Sequence, residues 1–166
     1  MKFSFECDET DALVLIDKSY LREINNDILY SFDIFLDRNG HTELVYDFPD
    51  EEWETVWERE SMEIKDFCNS GKMLVLLTDT DLVDWELIFN SENYETDKFI
   101  LIPSGKLILV SASELIQCLA YPDLEMDKIA EIDVEKGEYA VMNEGTKIYC
   151  CKSVIPKALI NNVIQI

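Results

Sequence analysis

Carboxylates are the groups in this sequence with the most chemistry to offer. Asp and Glu number 35 against 14 Lys and Arg in a chain of 166 residues. Ten of the acids fall between Glu43 and Asp66, opposed there by Arg59 and Lys65 alone. Such side chains can serve as a general acid–base pair, but that needs a defined separation across a cleft, which abundance does not supply. They can also hold a hard cation. Asp79, Asp81 and Asp84 invite a calcium loop, yet that loop needs glycine at its sixth position and glutamate at its twelfth, where this chain has Asp84 and Asn90. No metal is expected there. Finally, a field of carboxylates attracts a cationic partner, and this use needs no fixed geometry.

The other reactive groups are sparse. His41 is the only histidine and sits just past a turn, where an exposed hairpin residue is the simplest account of it. A Cys–His nucleophile would pair it with Cys7, Cys68, Cys118, Cys150 or Cys151, and nothing in the spacing brings them together. Ser104-Gly105-Lys106 lacks the glycine spacing of a phosphate loop. The expectation is a protein with no catalytic residues and no cofactor.

The net charge of -21 excludes whole classes of partner. Nucleic acid and anionic membrane would be repelled, whereas a basic protein would be attracted and steered. With 48% apolar residues the chain is no disordered acidic tail, and its length suits one domain spanning 1–166. Five cysteines cannot all pair, and adjacent Cys150 and Cys151 would point to opposite faces of a strand. Free thiols in a reducing cytoplasm are the reading, helped by the absence of a membrane-length apolar run and of a signal-peptide core in MKFSFECDETD.

The elements that must position the acids follow from periodicity. Residues 50–69 read as one amphipathic helix with Trp53, Val56, Trp57, Ile64, Phe67 and Cys68 on its underside and Gly71 beyond its end. Phe3, Phe5 and Cys7 alternate with polar residues as a half-buried strand; Ala12–Ile16, Lys72–Leu77 and Leu82–Phe89 are further strands. Residues 18–26 are undecided. The β-branched and aromatic content of residues 28–36 favours a strand, and Asn39-Gly40 would turn it into a hairpin with 41–48. Pro103-Ser104-Gly105 reads as a second hairpin turn between Lys98–Ile102 and Lys106–Val110, followed by a short helix over 111–119. Residues 128–135, 139–142 and 147–151 add strands, and Ile164 and Ile166 a last one. The predicted fold is α+β and predominantly β, an antiparallel sandwich-like domain with one main helix over about 50–69.

Phe99-Ile100-Leu101-Ile102-Pro103, the Gly105-Lys106 turn into Leu107–Ser113, and EIDVEKGEYAVMNE (Glu131–Glu144) together resemble the ending of the competence-system nuclease inhibitor family. Phe3-Ser4-Phe5-Glu6 is compatible with that family's first strand. The long acidic helix and the extended tail depart from its pattern. More loosely, the chain looks like the immunity proteins of bacterial contact-dependent and polymorphic toxin systems. The resemblance implies inhibition of a delivered or secreted nuclease, and it carries over no catalytic residues.

The functional expectation is therefore an inhibitor or immunity protein that covers the basic cleft of a cognate toxin with carboxylates. Its candidate partner-binding residues are Asp50, Glu51, Glu52, Glu54 and Glu58, with Asp79, Asp81 and Asp84 as a second patch. Affinity would also need an exposed Tyr or Phe beside the charges. The alternative is an adaptor domain that binds another protein, with acidity serving only solvation.

Overall fold

A computed structural model describes residues 1–7, 11–37, 53–78, 81–154 and 160–165. Its ten strands are β1 (Lys2–Glu6), β2 (Leu13–Asp17), β3 (Met73–Leu77), β4 (Leu82–Asn90), β5 (Lys98–Ile102), β6 (Lys106–Ser111), β7 (Ala130–Asp133), β8 (Gly137–Glu144), β9 (Lys147–Lys152) and β10 (Val163–Gln165). The helices are α1 (Asn26–Leu36), α2 (Trp53–Glu60), α3 (Met62–Asn69) and α4 (Ala112–Ala120), and a 3-10 helix spans Lys18–Glu23. One sheet runs β1-β4-β9-β8-β5 and the second β10-β3-β2-β6-β7. The fold is α+β and mostly β, as the sequence predicts.

The second sheet is covered on both sides, which explains its unbroken apolar runs. Leu13 and Leu15, Leu74 and Leu76, and Leu107 and Leu109 face the first sheet and meet its Phe5, Trp85, Leu87, Ile100, Val141 and Ile148. Their neighbours Val14, Ile16, Met73, Val75, Ile108 and Val110 point the other way, onto Phe32 and Phe35 of α1 and Ile64 and Phe67 of α3. The order is helices, second sheet, first sheet. Each large side chain buried here contributes about 1.5–3 kcal/mol.

Four expectations need correction. Residues 28–36 form helix α1, not a strand. Strand-like composition loses to the 3.6-residue spacing of Ile28, Phe32, Phe35 and Leu36, and the Asn25 side chain caps the first turn by accepting from Ile28 N at 2.9 Å. The hairpin with 41–48 therefore does not form from that segment. Its turn, His41 and residues 41–48 lie outside the described residues, as does Ile166.

The main helix is two helices rather than one. Ser61 is fully buried between them, and its Oγ donates to Trp57 O at 2.5 Å, the carbonyl that also accepts from Ser61 N. Such back-bonding bends a helix without ending its ladder, and Lys65 N still donates to Ser61 O.

Pro103-Ser104-Gly105 is not a hairpin turn. β5 pairs with β8 in the first sheet while β6 pairs with β2 and β7 in the second, so these residues cross between sheets. Asp17, fully buried at the end of β2, anchors the crossover, because its Oδ2 accepts from both Ser104 N and Ser104 Oγ. Its Oδ1 caps the 3-10 helix at Ser19, which settles the segment after Asp17 as helical. Gly105 has a φ of 78°, and an added Cβ would stand 3.0 Å from Val134 O. Gly145 is also left-handed, at 57°, with open space around it. Gly145→Ala should therefore cost about 1–2 kcal/mol, the left-handed penalty alone, and Gly105→Ala clearly more. Urea midpoints of the two variants check this ordering.

Finally, the sandwich is not wholly antiparallel. β4 pairs β9 in parallel, and β10 pairs β3 in parallel. Both pairings join distant segments, which local sequence patterns cannot reveal.

Candidate functional site

The helical layer turns its carboxylates outward because its buried apolar stripes pack on the second sheet. On α1 the buried stripe leaves Asp27, Tyr30 and Asp33 exposed, at intervals of three. On α2, Val56 is buried and Trp57 half-buried; Glu54 and Glu58, four residues apart, are exposed. On α3, burial of Ile64, Phe67 and Cys68 exposes Met62, Glu63 and Asp66. With Glu60, the described residues of α1, α2 and α3 present seven carboxylates.

Its two cations are turned to other tasks. Arg59 Nε donates to Glu60 Oε1 at 3.0 Å. Lys65 lays its ammonium over the Trp57 ring, 4.1 Å from the centroid. Trp57 is in turn fixed by stacking on Phe35 (5.6 Å) and by donating from Nε1 to Phe35 O at 3.2 Å. Desolvation there lowers the Lys65 pKa, opposed by the nearby Glu58 carboxylate.

Two exposed apolar side chains sit among these charges: Tyr30 (47% exposed) and Met62 (55%). The Tyr30 hydroxyl is raised in pKa by desolvation and then by Glu60, which places it beside the α2–α3 bend. A half-exposed tyrosine beside Glu60 and Asp33 has the composition of an interface anchor.

Glu54 and Glu58 are exposed on α2, whose last residue, Glu60, is the carboxylate that acts on Tyr30. Asp50, Glu51, Glu52 and Asp79 lie outside the described residues. Asp81 and Asp84 do not join the helical group. Asp81 is exposed just before β4 and its carbonyl accepts from Cys7 N. Asp84 projects from the outer face of the first sheet and accepts from Ser4 Oγ at 2.6 Å. The second sheet and the first, packed about 10 Å apart, stand between Asp84 and the helices, so Asp84 lies on the opposite side of the molecule from Glu54 and Glu58.

Sequence reasoning missed Tyr30, Asp27, Asp33 and Met62. The signal was present in Asp27-x-x-Tyr30-x-x-Asp33, a polar helical stripe, but reading 28–36 as a strand scatters those residues over two faces.

Other ionisable groups serve the fold. Glu114 accepts from Asp127 N and Cys118 Sγ, which tie the loop after α4 and hold its carboxyl below the usual range. Glu131 accepts from Lys128 and Lys18 at 2.6 and 3.1 Å, and these bonds pull its pKa down to about 2. A depressed carboxyl stabilises the fold above its unfolded range, about 4.3, and that contribution is lost as pH falls from there toward 2. Glu131→Gln should accordingly lower the urea midpoint at neutral pH, with the gap to the parent protein closing below pH 4.

A cleft of about 790 Å³ opens between the sheets, lined by Phe89, Ile132, Val134 and Tyr139 and edged by the Lys152–Glu135 pair. Among the described residues no group of His, Cys, Asp and Glu is arranged to hold a metal ion. All five cysteines are buried, and none is in a disulfide. Burial raises the Cys150 thiol to about 12, and burial with the Glu114 carboxylate raises Cys118 to about 11. The thiolate, not the thiol, is the nucleophile. Burial keeps all five thiols from reagent, so they should resist a disulfide reagent such as DTNB in the native protein at pH 8, and all five should react in denaturant.

No family model matches the chain, and neither a curated protein nor a solved structure matches it. No helix among the described residues is long and apolar enough to cross a membrane.

Proposed function

We propose that this chain is an inhibitor of the immunity type, which neutralises a basic protein toxin by covering it with the outer face of α1, α2 and α3. The observation that carries the reading is the seven-carboxylate helical face with its cations turned aside and Tyr30 and Met62 exposed among the acids. Opposite charge can raise association rates by about 10 to 1000-fold, and rapid capture matters when the target damages its host. The acids supply steering, while the tyrosine and methionine supply the desolvated contact that charges alone do not give.

A nuclease is the proposed target class, because an enzyme that binds a polyanion carries a basic cleft. The resemblance of the second half to nuclease inhibitors points the same way. Five buried thiols fit a reducing cytoplasm, where such an inhibitor would meet its toxin. The chain acts by binding, with no catalytic step of its own.

The test is co-expression with the product of the adjacent gene, followed by affinity purification and assay of the partner on DNA and RNA. A basic partner whose nuclease activity is silent in the complex and appears on its removal supports the proposal. A partner that is neutral or acidic, or equally active bound and free, favours the adaptor alternative and removes this reading.

A further inference from the structure

The outer face of the first sheet carries a different pattern from the helices. Helical side chains in the buried clusters pack on the second sheet only, so no described helix covers this face. One row across four neighbouring strands reads Lys2, Glu86, Lys147, Glu144. Lys2 is paired in register with Glu86, Glu86 with Lys147, and Lys147 with Glu144. Lys2, Lys147 and Glu144 are exposed and Glu86 is half-buried. The row borders a depression of about 420 Å³ lined by Lys2, Ser4, Asp84, Glu86 and Lys147. The next outward row is apolar and half-buried: Ile88, Tyr149 and Met142, again register neighbours.

A cationic partner would meet two lysines in this row, and an anionic one would meet two glutamates. The surface that fits an alternating row is the same row reversed. We propose that the outer face of the first sheet is a self-association surface, joining two copies of this chain about a two-fold axis that runs parallel to the strands between β4 and β9. That axis sets Lys2 against the second copy's Glu144 and Glu86 against the second copy's Lys147, each contact occurring twice. It also brings Ile88 over the second copy's Tyr149, which supplies apolar contact beside the ion pairs. An axis running across the strands instead would oppose like charges at every position, so the row selects one arrangement.

The dimer leaves both helical faces pointing outward, so it does not compete with the proposed toxin contact and stands independently of it. Its salt dependence is opposite in sign. Two chains of net charge -21 repel at long range, and that repulsion is screened when the Debye length falls from about 30 Å at 0.01 M salt to about 8 Å at 0.15 M. Contact pairs enclosed in the interface are screened much less. Self-association therefore strengthens over this range, whereas capture of a basic partner weakens.

Sedimentation equilibrium of the full chain tests this, from micromolar to millimolar concentration at both salt levels. The expected result is a monomer–dimer equilibrium that tightens with salt. Lys147→Glu places four carboxylates in the two central contacts and should weaken it by about 10-fold or more. Adding Glu86→Lys to it restores the opposed signs and should return the dissociation constant to within about threefold of the parent. Glu144→Lys, which sets two cations together opposite Lys2, is a second weakening variant should Lys147→Glu fold poorly by circular dichroism. A chain that stays monomeric to millimolar concentration at 0.15 M salt overturns the proposal. So does a dimer indifferent to both single variants, or a double variant no tighter than Lys147→Glu.

Discussion

Asn162→Leu should lower the unfolding free energy by about 3–6 kcal/mol, the largest effect of any single substitution considered. Asn162 is fully buried where the tail enters the second sheet. Its Nδ2 donates to Cys68 O, Met73 O and Phe99 O, and its Oδ1 accepts from Phe99 N. Its own N donates to Asn69 Oδ1 and its carbonyl accepts from Val75 N. One side chain thus joins the end of α3, strand β3 and strand β5, which belong to both sheets and the helical layer. Leucine is of similar size but removes all four side-chain bonds; Cys68 O keeps Gly71 N as a donor, while Met73 O, Phe99 O and Phe99 N lose the Asn162 amide, at about 1–3 kcal/mol each before relaxation and water entry offset part of the loss. For a chain of this length that corresponds to a fall in melting temperature of roughly 10 °C or more. Thermal and urea unfolding measure it. A loss below about 1 kcal/mol would show that water replaces the amide and that Asn162 joins nothing.

Reversal of Glu54 and Glu58 to lysine should weaken capture of the basic partner by about 10 to 100-fold, mostly through a slower association rate. Both are exposed, on the same face and away from the core, so the fold should tolerate the change. Tyr30→Ala should act on the other rate. Truncating a half-exposed anchor at an interface costs about 2 kcal/mol or more, roughly 30-fold, and appears as faster dissociation. Asp84→Lys, on the far side of the molecule, should leave both rates within about twofold, because exposed charges beyond a Debye length are largely screened. Surface plasmon resonance separates the rates. If Asp84→Lys weakens binding as much as the helical reversal, the partner docks on the sheet face instead.

How much of this was legible in the sequence depended on whether an element's signal is local. β2, β3 and β6 are apolar on both faces, and each reads as a continuous run because the sheet they form is buried on both sides. Residues 139–142 and 147–151 read as two strands, and the structure pairs them as β8 and β9 about the left-handed Gly145. Residues 28–36 misled because Ile, Phe and Tyr suit a strand, while the competing signal, apolar residues at helical spacing, needs a longer view of the segment. Pro103-Ser104-Gly105 misled for another reason. The same tripeptide turns a hairpin or crosses between sheets, and the decision is made by Asp17, distant in sequence. Asn162 gave no signal at all, since one of two adjacent asparagines in a mostly apolar tail announces nothing until its neighbours are known.

The candidate site was half legible. Glu54 and Glu58 share a helical face at a spacing of four, which sequence shows directly. Tyr30 became visible only once α1 was a helix. That the acids of α2 and Asp84 lie on opposite sides depends on sheet order, which two parallel pairings of distant strands determine. The sequence offered two acidic patches with no relation between them; the fold gives a helical face of nearly uniform sign and a sheet face on which the row Lys2, Glu86, Lys147 and Glu144 alternates in sign.

The most direct test of the central claim is a salt titration of the complex between this chain and the basic protein that co-purifies with it. Affinity measured from about 0.05 to 0.5 M salt, spanning Debye lengths from above 10 Å to below 5 Å, should fall steadily, with the association rate carrying most of the change. The Glu54→Lys, Glu58→Lys double variant should flatten that dependence. An affinity indifferent to salt, or a slope the double variant leaves unchanged, would contradict capture by the helical carboxylates.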